Sequence, residues 1–411
     1  MAKRLAAIIV IFLATTVAWV ILGSTILART YSFGNNLKDK VASTWGTRQE
    51  QKPATAWYLR ESTRTEEYQE NGQKRTRDVT TWVTEHLPLD ASRVNVALTL
   101  EHRQKGLLWY STYKVDFGGD YRFTNNSGEP RNVAFELPYP SDRAIYDDLQ
   151  FSLDGKPLEV VTSGGHAQAK ALVPAGATVT VHTGYKSQGL DEWKYSLGEN
   201  VSQVKDFDLT IKTDFSDIDF PEQTLSPSKK TESGGGWLLE WSYKSLVSGY
   251  AIGMTMPEKL QPGPLAGEIS YFAPVSLLFF FFLMFIITTL RNIELHPMNY
   301  FFLASAFFAF HLLLAYLVDH ISIHMAFAIS SIVSVFLVVS YLRLVVGMRF
   351  AALEAGGAQL IYLVLFSYAF FFKGYTGLAV TIGAIITLFV VMQMTGRIRW
   401  SEKFAGVPAK A

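Results

Sequence analysis

Asp319, His320 and His324 stand together in a short polar stretch between two apolar runs. Two imidazoles four residues apart can share a helix face, and a carboxylate beside them completes a set able to hold a metal ion or relay a proton. The same residues equally suit a polar turn that stops two helices and wets their ends, because two histidines and one acid do not by themselves specify a metal. The turn reading is preferred, and no metal or other cofactor is expected. His311 falls in the middle of an apolar run. At that depth an ionisable group faces a bundle interior and is a functional candidate, or it hydrogen-bonds a neighbouring helix; both readings stay open. No Asp or Glu occupies the middle of an apolar run, which argues against proton coupling through acid relays. Ser163-Gly164-Gly165-His166 pairs a hydroxyl with an imidazole but lacks the G-x-S-x-G elbow, and reads as a flexible turn. No P-loop, HExxH or GxGxxG occurs in a suitable context. A non-enzymatic role is expected.

The elements that carry these residues are set by hydropathy. Runs of about 18 or more apolar residues read as membrane-spanning helices. One such run, residues 5–27, follows Lys3 and Arg4. Five more crowd the last third, at about 270–290, 299–318, 325–346, 357–372 and 376–395. The first resembles a signal peptide in charge order, but its apolar core is long and no small-x-small site closes it, so an uncleaved signal anchor is expected. Arg291, Arg343, Arg349, Arg397, Arg399 and Lys403 fall on one side of the resulting scheme, and only Lys373 dissents. Lys and Arg mark the cytoplasmic side. Residues 1–4 and the tail 397–411 are therefore expected in the cytoplasm, and residues 28–268 outside the membrane. The five-helix domain would occupy 269–396.

The outer domain opens with helical spacing of Leu37, Val41 and Trp45, so a membrane-proximal helix over 33–51, ended by Pro53, is expected. The pattern then changes to period two over 79–86, 93–101, 107–123, 178–182, 207–213 and 237–243. Asp154-Gly155 between 151–153 and 158–161 is a hairpin signal. Pro174-Ala175-Gly176 is a turn, and Ser233 with Gly234–Gly236 marks a mobile loop. The fold expected is an α-helical transmembrane bundle of six spans plus a large, mostly antiparallel, sandwich-like β domain. Cysteine is absent, which excludes disulfides and thiol chemistry and is compatible with a bacterial periplasm. The formal net charge is +1, so no nucleic-acid partner is expected.

Four segments resemble the CreD family of bacterial inner-membrane proteins. Trp45-Gly46 with Gln49 and Pro53 is similar to the "SWG..Q" stretch after that family's first span. Residues 101–123 look like its "RGIY…VY" strand pair. Leu295-His296-Pro297, Tyr300, Leu312-Leu313-Leu314 and Asp319-His320-Ile321 resemble its "LHP..Y…LLL.LSEHI" pattern, and 395–400, ending in Trp400, its terminal "TRR.DW". Asp319 stands where the family has Glu and Arg399 where it has Asp, as in a diverged relative. The resemblance implies a cell envelope integrity protein of the inner membrane linked to envelope stress, and it supplies no catalytic residue. The partners implied are the lipid bilayer, and envelope proteins or cell-wall material through the periplasmic domain. Two rivals stay open: a small transporter with a pathway near His311 and Asp319/His320, and an enzyme acting on an envelope lipid. His296, His311, Asp319, His320 and His324 are the polar candidates under every reading.

Overall fold

The computed structural model describes residues 2–70, 73–197, 202–372 and 374–396. The chain divides into two compact units, one helical (1–37, 106–108 and 260–411) and one β-rich (38–105 and 109–259).

Among the described residues of the helical unit six helices are long and apolar enough to cross a membrane: Arg4–Tyr31, Pro262–Leu290, Pro297–Leu317, Ile323–Val345, Phe350–Phe371 and Thr376–Thr395. They are called spans one to six. Helix ends follow local chemistry. His296 caps span three by accepting the Met298 N–H at 3.2 Å, with Pro297 at the first helical position, where a missing N–H costs nothing. Ser322 caps span four through Met325 N–H. Gly347, with φ of 108°, breaks the chain between spans four and five. Span five begins at Phe350 rather than at 357: Glu354, which interrupts the apolar run, is paired through Oε1 with Arg291 at 2.5 Å. Span five is also irregular: Phe350–Ala355 and Leu360–Leu365 are π-helical, flanking Gly356–Gln359.

The expected membrane-proximal helix is not separate. One helix runs from Ala2 to Trp45, and Gln49–Gln51 is a strand. Gly46 stops the helix, not Pro53. Its φ is +121°, and a Cβ there would lie 2.3 Å from the Gln188 carbonyl oxygen, so only glycine fits.

The described residues of the β unit form three sheets. Across the eight-stranded sheet run Lys229–Ser233, Gly236–Ser248, Ser202–Thr213, Leu89–Lys105, Leu108–Thr124, Thr178–Leu190, Tyr146–Leu153 and Lys156–Pro157. The five-stranded sheet runs Gln73–His86, Thr55–Glu70, Arg131–Pro138, His166–Val173 and Val161–Ser163. Gln49–Gln51, Glu192–Tyr195 and Ile252–Thr255 form the third. Among the described strand pairs, pairing within the sheets is antiparallel except for Gln49–Gln51 on Glu192–Tyr195 and Leu89–Lys105 on Ser202–Thr213. Val94, Val96 and Leu98 point inward while Arg93, Asn95 and Ala97 point out, the period-two signal read from sequence. Residues of both larger sheets, Phe117, Tyr121 and Leu209 from one and Val133, Phe135 and Ala167 from the other, enter a single apolar cluster.

Three local expectations change. Gly234-Gly235 is a tight turn rather than a mobile loop: both have positive φ, and Ser233 pairs with Gly236 across it. Gly164-Gly165 closes Ser163 onto His166 in the same way. Asp154-Gly155 does turn a hairpin, with φ of 49° and 79°, but its second strand is only Lys156–Pro157; Pro157 cannot donate to a ladder, and Val161–Ser163 pairs elsewhere.

Candidate functional site

The polar residues singled out by sequence do not converge. Asp319 lies 3.3 Å from Nη1 of Arg29, and Arg29 Nη2 donates to the Ala315 carbonyl at 3.2 Å. The guanidinium also sits 5.8 Å from the Tyr316 ring centre. Arg29 thus takes up an orphan carbonyl in the last turn of span three and the carboxylate just beyond it, where a cation also suits the helix dipole. His320 is exposed, and its backbone N–H closes the turn on Leu317. His324 is also exposed and packs its ring 5.2 Å from Phe371 of span five. Among the described residues no group of three or more His, Cys, Asp or Glu is arranged to hold a metal ion. Asp319 thus links the turn after span three to span one through Arg29.

His311 is fully buried. Its Nδ1 lies 2.9 Å from the Phe307 carbonyl one turn earlier. A carbonyl only accepts, so Nδ1 carries a proton. Nε2 has no partner among the described residues. The ring is packed edge-on against Trp19 of span one at 5.8 Å and Phe310 at 4.9 Å.

What sequence reasoning missed is a belt of uncharged polar groups across the last five spans. Ser334 of span four donates to the Ala306 carbonyl of span three at 2.6 Å and accepts from Gln359 Nε2 of span five at 2.7 Å. Tyr362 of span five donates to Thr387 of span six at 2.9 Å, and Thr387 donates back to Gly383 within its own helix. Ser276 of span two donates to the Tyr362 carbonyl. That carbonyl lies inside the second π segment, where the wider turn shifts the helical bonds, as with Phe366 N–H reaching Ile361. Ser276, Ser334 and Gln359 are completely buried, as is Ser330, whose hydroxyl, like Gln359 Oε1, has no partner among the described residues. In hydrocarbon such bonds join helices because the alternative is an unsatisfied polar group. The signal was in the sequence as Ser, Gln and Thr inside apolar runs, but none of these ionises and each also occurs singly in ordinary spans.

Tyr300 is buried against Phe281 at 5.3 Å. Trp45 lies under the Arg103 guanidinium at 3.5 Å. Gln49 Nε2 donates to Ser187 at 2.8 Å and to the Gln188 carbonyl at 3.0 Å, holding the strand that follows Gly46. Pro53 follows that strand in an unpaired connection. Trp400, Arg397, Arg399, Lys403 and Lys373 lie outside the described residues.

The β unit carries an open groove of about 530 Å³ on the outer face of its large sheet. Several of its polar groups are paired in place: His182 Nδ1 lies 2.7 Å from Asp120, and Lys186 lies 3.0 Å from Asp148, whose carboxyl it holds below the usual range through that hydrogen bond. Beneath the sheet, burial pushes the hydroxyls of Tyr113, Tyr185 and Tyr195 well above their ordinary pKa and raises that of Tyr121.

Residues 269–401 match the family described as Inner membrane protein CreD. No curated protein matches the chain. Among solved structures, a nutrient binding protein, described as putative, from Legionella pneumophila is similar at 10% identity and a TM-score of 0.31, over 47% of this chain and 74% of that one. An M1 zinc metallopeptidase from Deinococcus radiodurans is similar at 12% identity and a TM-score of 0.27, over 41% of this chain and 42% of that one. This chain therefore spans less than half of the peptidase, and neither likeness carries an argument about activity.

Proposed function

We propose that this chain is a cell envelope integrity protein of the CreD type. The observation that carries the reading is the CreD match over 269–401, the segment that holds spans three to six and most of span two. In this reading the six helices cross the bacterial inner membrane, with the first as an uncleaved signal anchor. Both termini lie in the cytoplasm and the β unit in the periplasm, its two larger sheets facing each other as a sandwich. The chain works without catalysis. It responds to envelope stress through contacts of the β unit with envelope proteins or cell-wall material. The polar belt supports a scaffolding role for the late spans, since its partners are other helices and it contains no acid.

The test is complementation. Cells lacking the chain should take up an envelope-impermeant dye faster under cell-wall stress, and the full chain should restore the barrier. An unchanged barrier together with loss of a specific solute flux would favour the transporter reading instead. For topology, a periplasm-active reporter inserted at Gly234-Gly235 should be active and one fused after Ala411 silent.

A further inference from the structure

Thr55–Glu70 and Gln73–His86 form a ribbon paired from Trp57 opposite His86 to Glu70 opposite Gln73. Among the described residues only Thr55–Trp57 pairs onward, with 134–136 of Arg131–Pro138. Gln73–His86 is the end strand of its sheet. Beyond Tyr58 most of the described side chains are exposed, on both faces. A two-stranded ribbon without a core is marginal in water, and its open edge is a template for another strand.

The outer edge is not uniform. Val79-Thr80-Thr81-Trp82-Val83-Thr84 is uncharged, free of proline and rich in β-branched residues. Trp82 is 63% exposed and Val83 39%. Charges bracket this stretch, with Arg77 before it and Glu85 after it. Arg77, Val79, Thr81, Val83 and Glu85 share one face by alternation.

We propose that this edge pairs with the same edge of a second copy, antiparallel, about a twofold axis through Thr81. Residues equally far from Thr81 then oppose one another. Val79 faces Val83, Thr80 faces Trp82, Asp78 faces Thr84, and Arg77 faces Glu85, each contact occurring twice. No like charges meet. Shifting the axis to between Thr81 and Trp82 would set Asp78 against Glu85, which is unfavourable for directly opposed residues. Within each copy Glu66 already lies 3.5 Å from Arg77 and Arg60 lies 3.0 Å from Glu85. The joined face therefore reads Arg60, Glu85, Arg77, Glu66, with alternating sign across the two copies. The second copy is favoured over an unrelated strand because this complementarity is supplied by the edge itself.

The absence of cysteine makes the test clean. In full-length protein in membranes, Thr81→Cys places the only thiols on the axis, where opposed Cα atoms lie about 4.5–5.5 Å apart and a disulfide can close. Mild oxidation should convert most of the chain to a covalent dimer. Asp78→Cys, which opposes Thr84, should give roughly tenfold less. Adding Arg77→Glu to Thr81→Cys should cut the dimer yield about fivefold, and reversing the whole row by adding Glu85→Arg, Glu66→Arg and Arg60→Glu as well should restore it. Equal crosslinking at 78 and 81, no dimer at 81, no rescue by the charge reversal, or an adduct of the introduced thiol with a different protein would each overturn the proposal. All these positions are on the solvent-facing ribbon, so the variants keep the core intact.

Discussion

The Asp319 carboxylate and the Arg29 guanidinium meet at 3.3 Å, joining the turn after span three to the end of span one. Arg29 serves two acceptors at once, the carboxylate and the Ala315 carbonyl. A guanidinium has several donors in a fixed plane; an ammonium has a single point of charge.

Asp319→Asn and Arg29→Gln are each expected to destabilise the helical unit by about 1 kcal/mol, the upper end for a partly exposed pair. The double variant should cost little more than either alone. Thermal unfolding in lipid nanodiscs, arranged as a double-mutant cycle, measures the coupling. Strictly additive losses would show that the two side chains do not interact in the membrane. Arg29→Lys should recover little, because one ammonium does not reproduce both contacts.

Ser334 and Gln359 should respond unequally. Ser334→Ala leaves the Gln359 amide buried with its donor unpaired, a loss of about 1–3 kcal/mol. Gln359→Leu removes both the donor and the unpartnered Oε1, so its cost should stay below about 1 kcal/mol. In the Gln359→Leu background Ser334→Ala should cost only its bond to the Ala306 carbonyl, roughly 0.6 kcal/mol. Equal costs for the two single variants would mean that the belt bond is not formed.

Gly46→Ala should destabilise the β unit by about 2–4 kcal/mol, through positive φ and the approach of its Cβ to the Gln188 carbonyl. Gly128→Ala, also at positive φ but with open space around the new Cβ, should cost about 1 kcal/mol. Unfolding of the full chain in denaturant, followed by tryptophan fluorescence, compares the two. A smaller loss at Gly46 than at Gly128 would contradict the close approach.

Alkali should unfold the β unit before it ionises the buried tyrosines. Tyr113, Tyr121, Tyr185 and Tyr195 keep their protons in the fold because burial disfavours the phenolate. Unfolded tyrosine ionises near pH 10. Folded pKa values are raised, so this contribution to stability is fully present below pH about 10 and is lost as pH climbs toward the folded values. Each withheld proton steepens the loss by about 1.4 kcal/mol per pH unit. Tyr195→Phe should flatten the slope above pH 10 by that amount. Tyrosinate absorbance against pH should rise in a late step coincident with loss of structure; a smooth titration with the fold intact would refute it.

The apolar runs made the spans legible, and alternating residues such as Val94, Val96 and Leu98 made the core strands legible, because both signals come from one-sided or complete burial. Strand Thr55–Glu70 was missed for the converse reason. Its side chains from Leu59 onward are largely solvated on both faces, so charge and Thr replace the apolar alternation. Phe350 was not recognised as the start of span five because Glu354 counted against it, and its neutralising Arg291 is remote in sequence. Asp319 stood out as a motif residue, yet its partner lies on the first helix, and no local pattern couples the two. The helix stop at Gly46 was visible as a motif but not as a mechanism. Its reason is a carbonyl that folding brings from residue 188.

The two π segments of span five bear on how this helix tolerates insertion and deletion. A π turn accommodates one more residue than the α turn it replaces, while the helix on either side keeps its phase. Losing one residue between Phe350 and Ala355 therefore restores an α turn and leaves Gln359 and Tyr362 facing Ser334 and Thr387. The same loss inside span three, which is regular, would swing every later residue about a quarter turn around the axis. Length variation among descendants of this sequence should therefore collect in span five, at its wide turns, and leave spans three and four uniform.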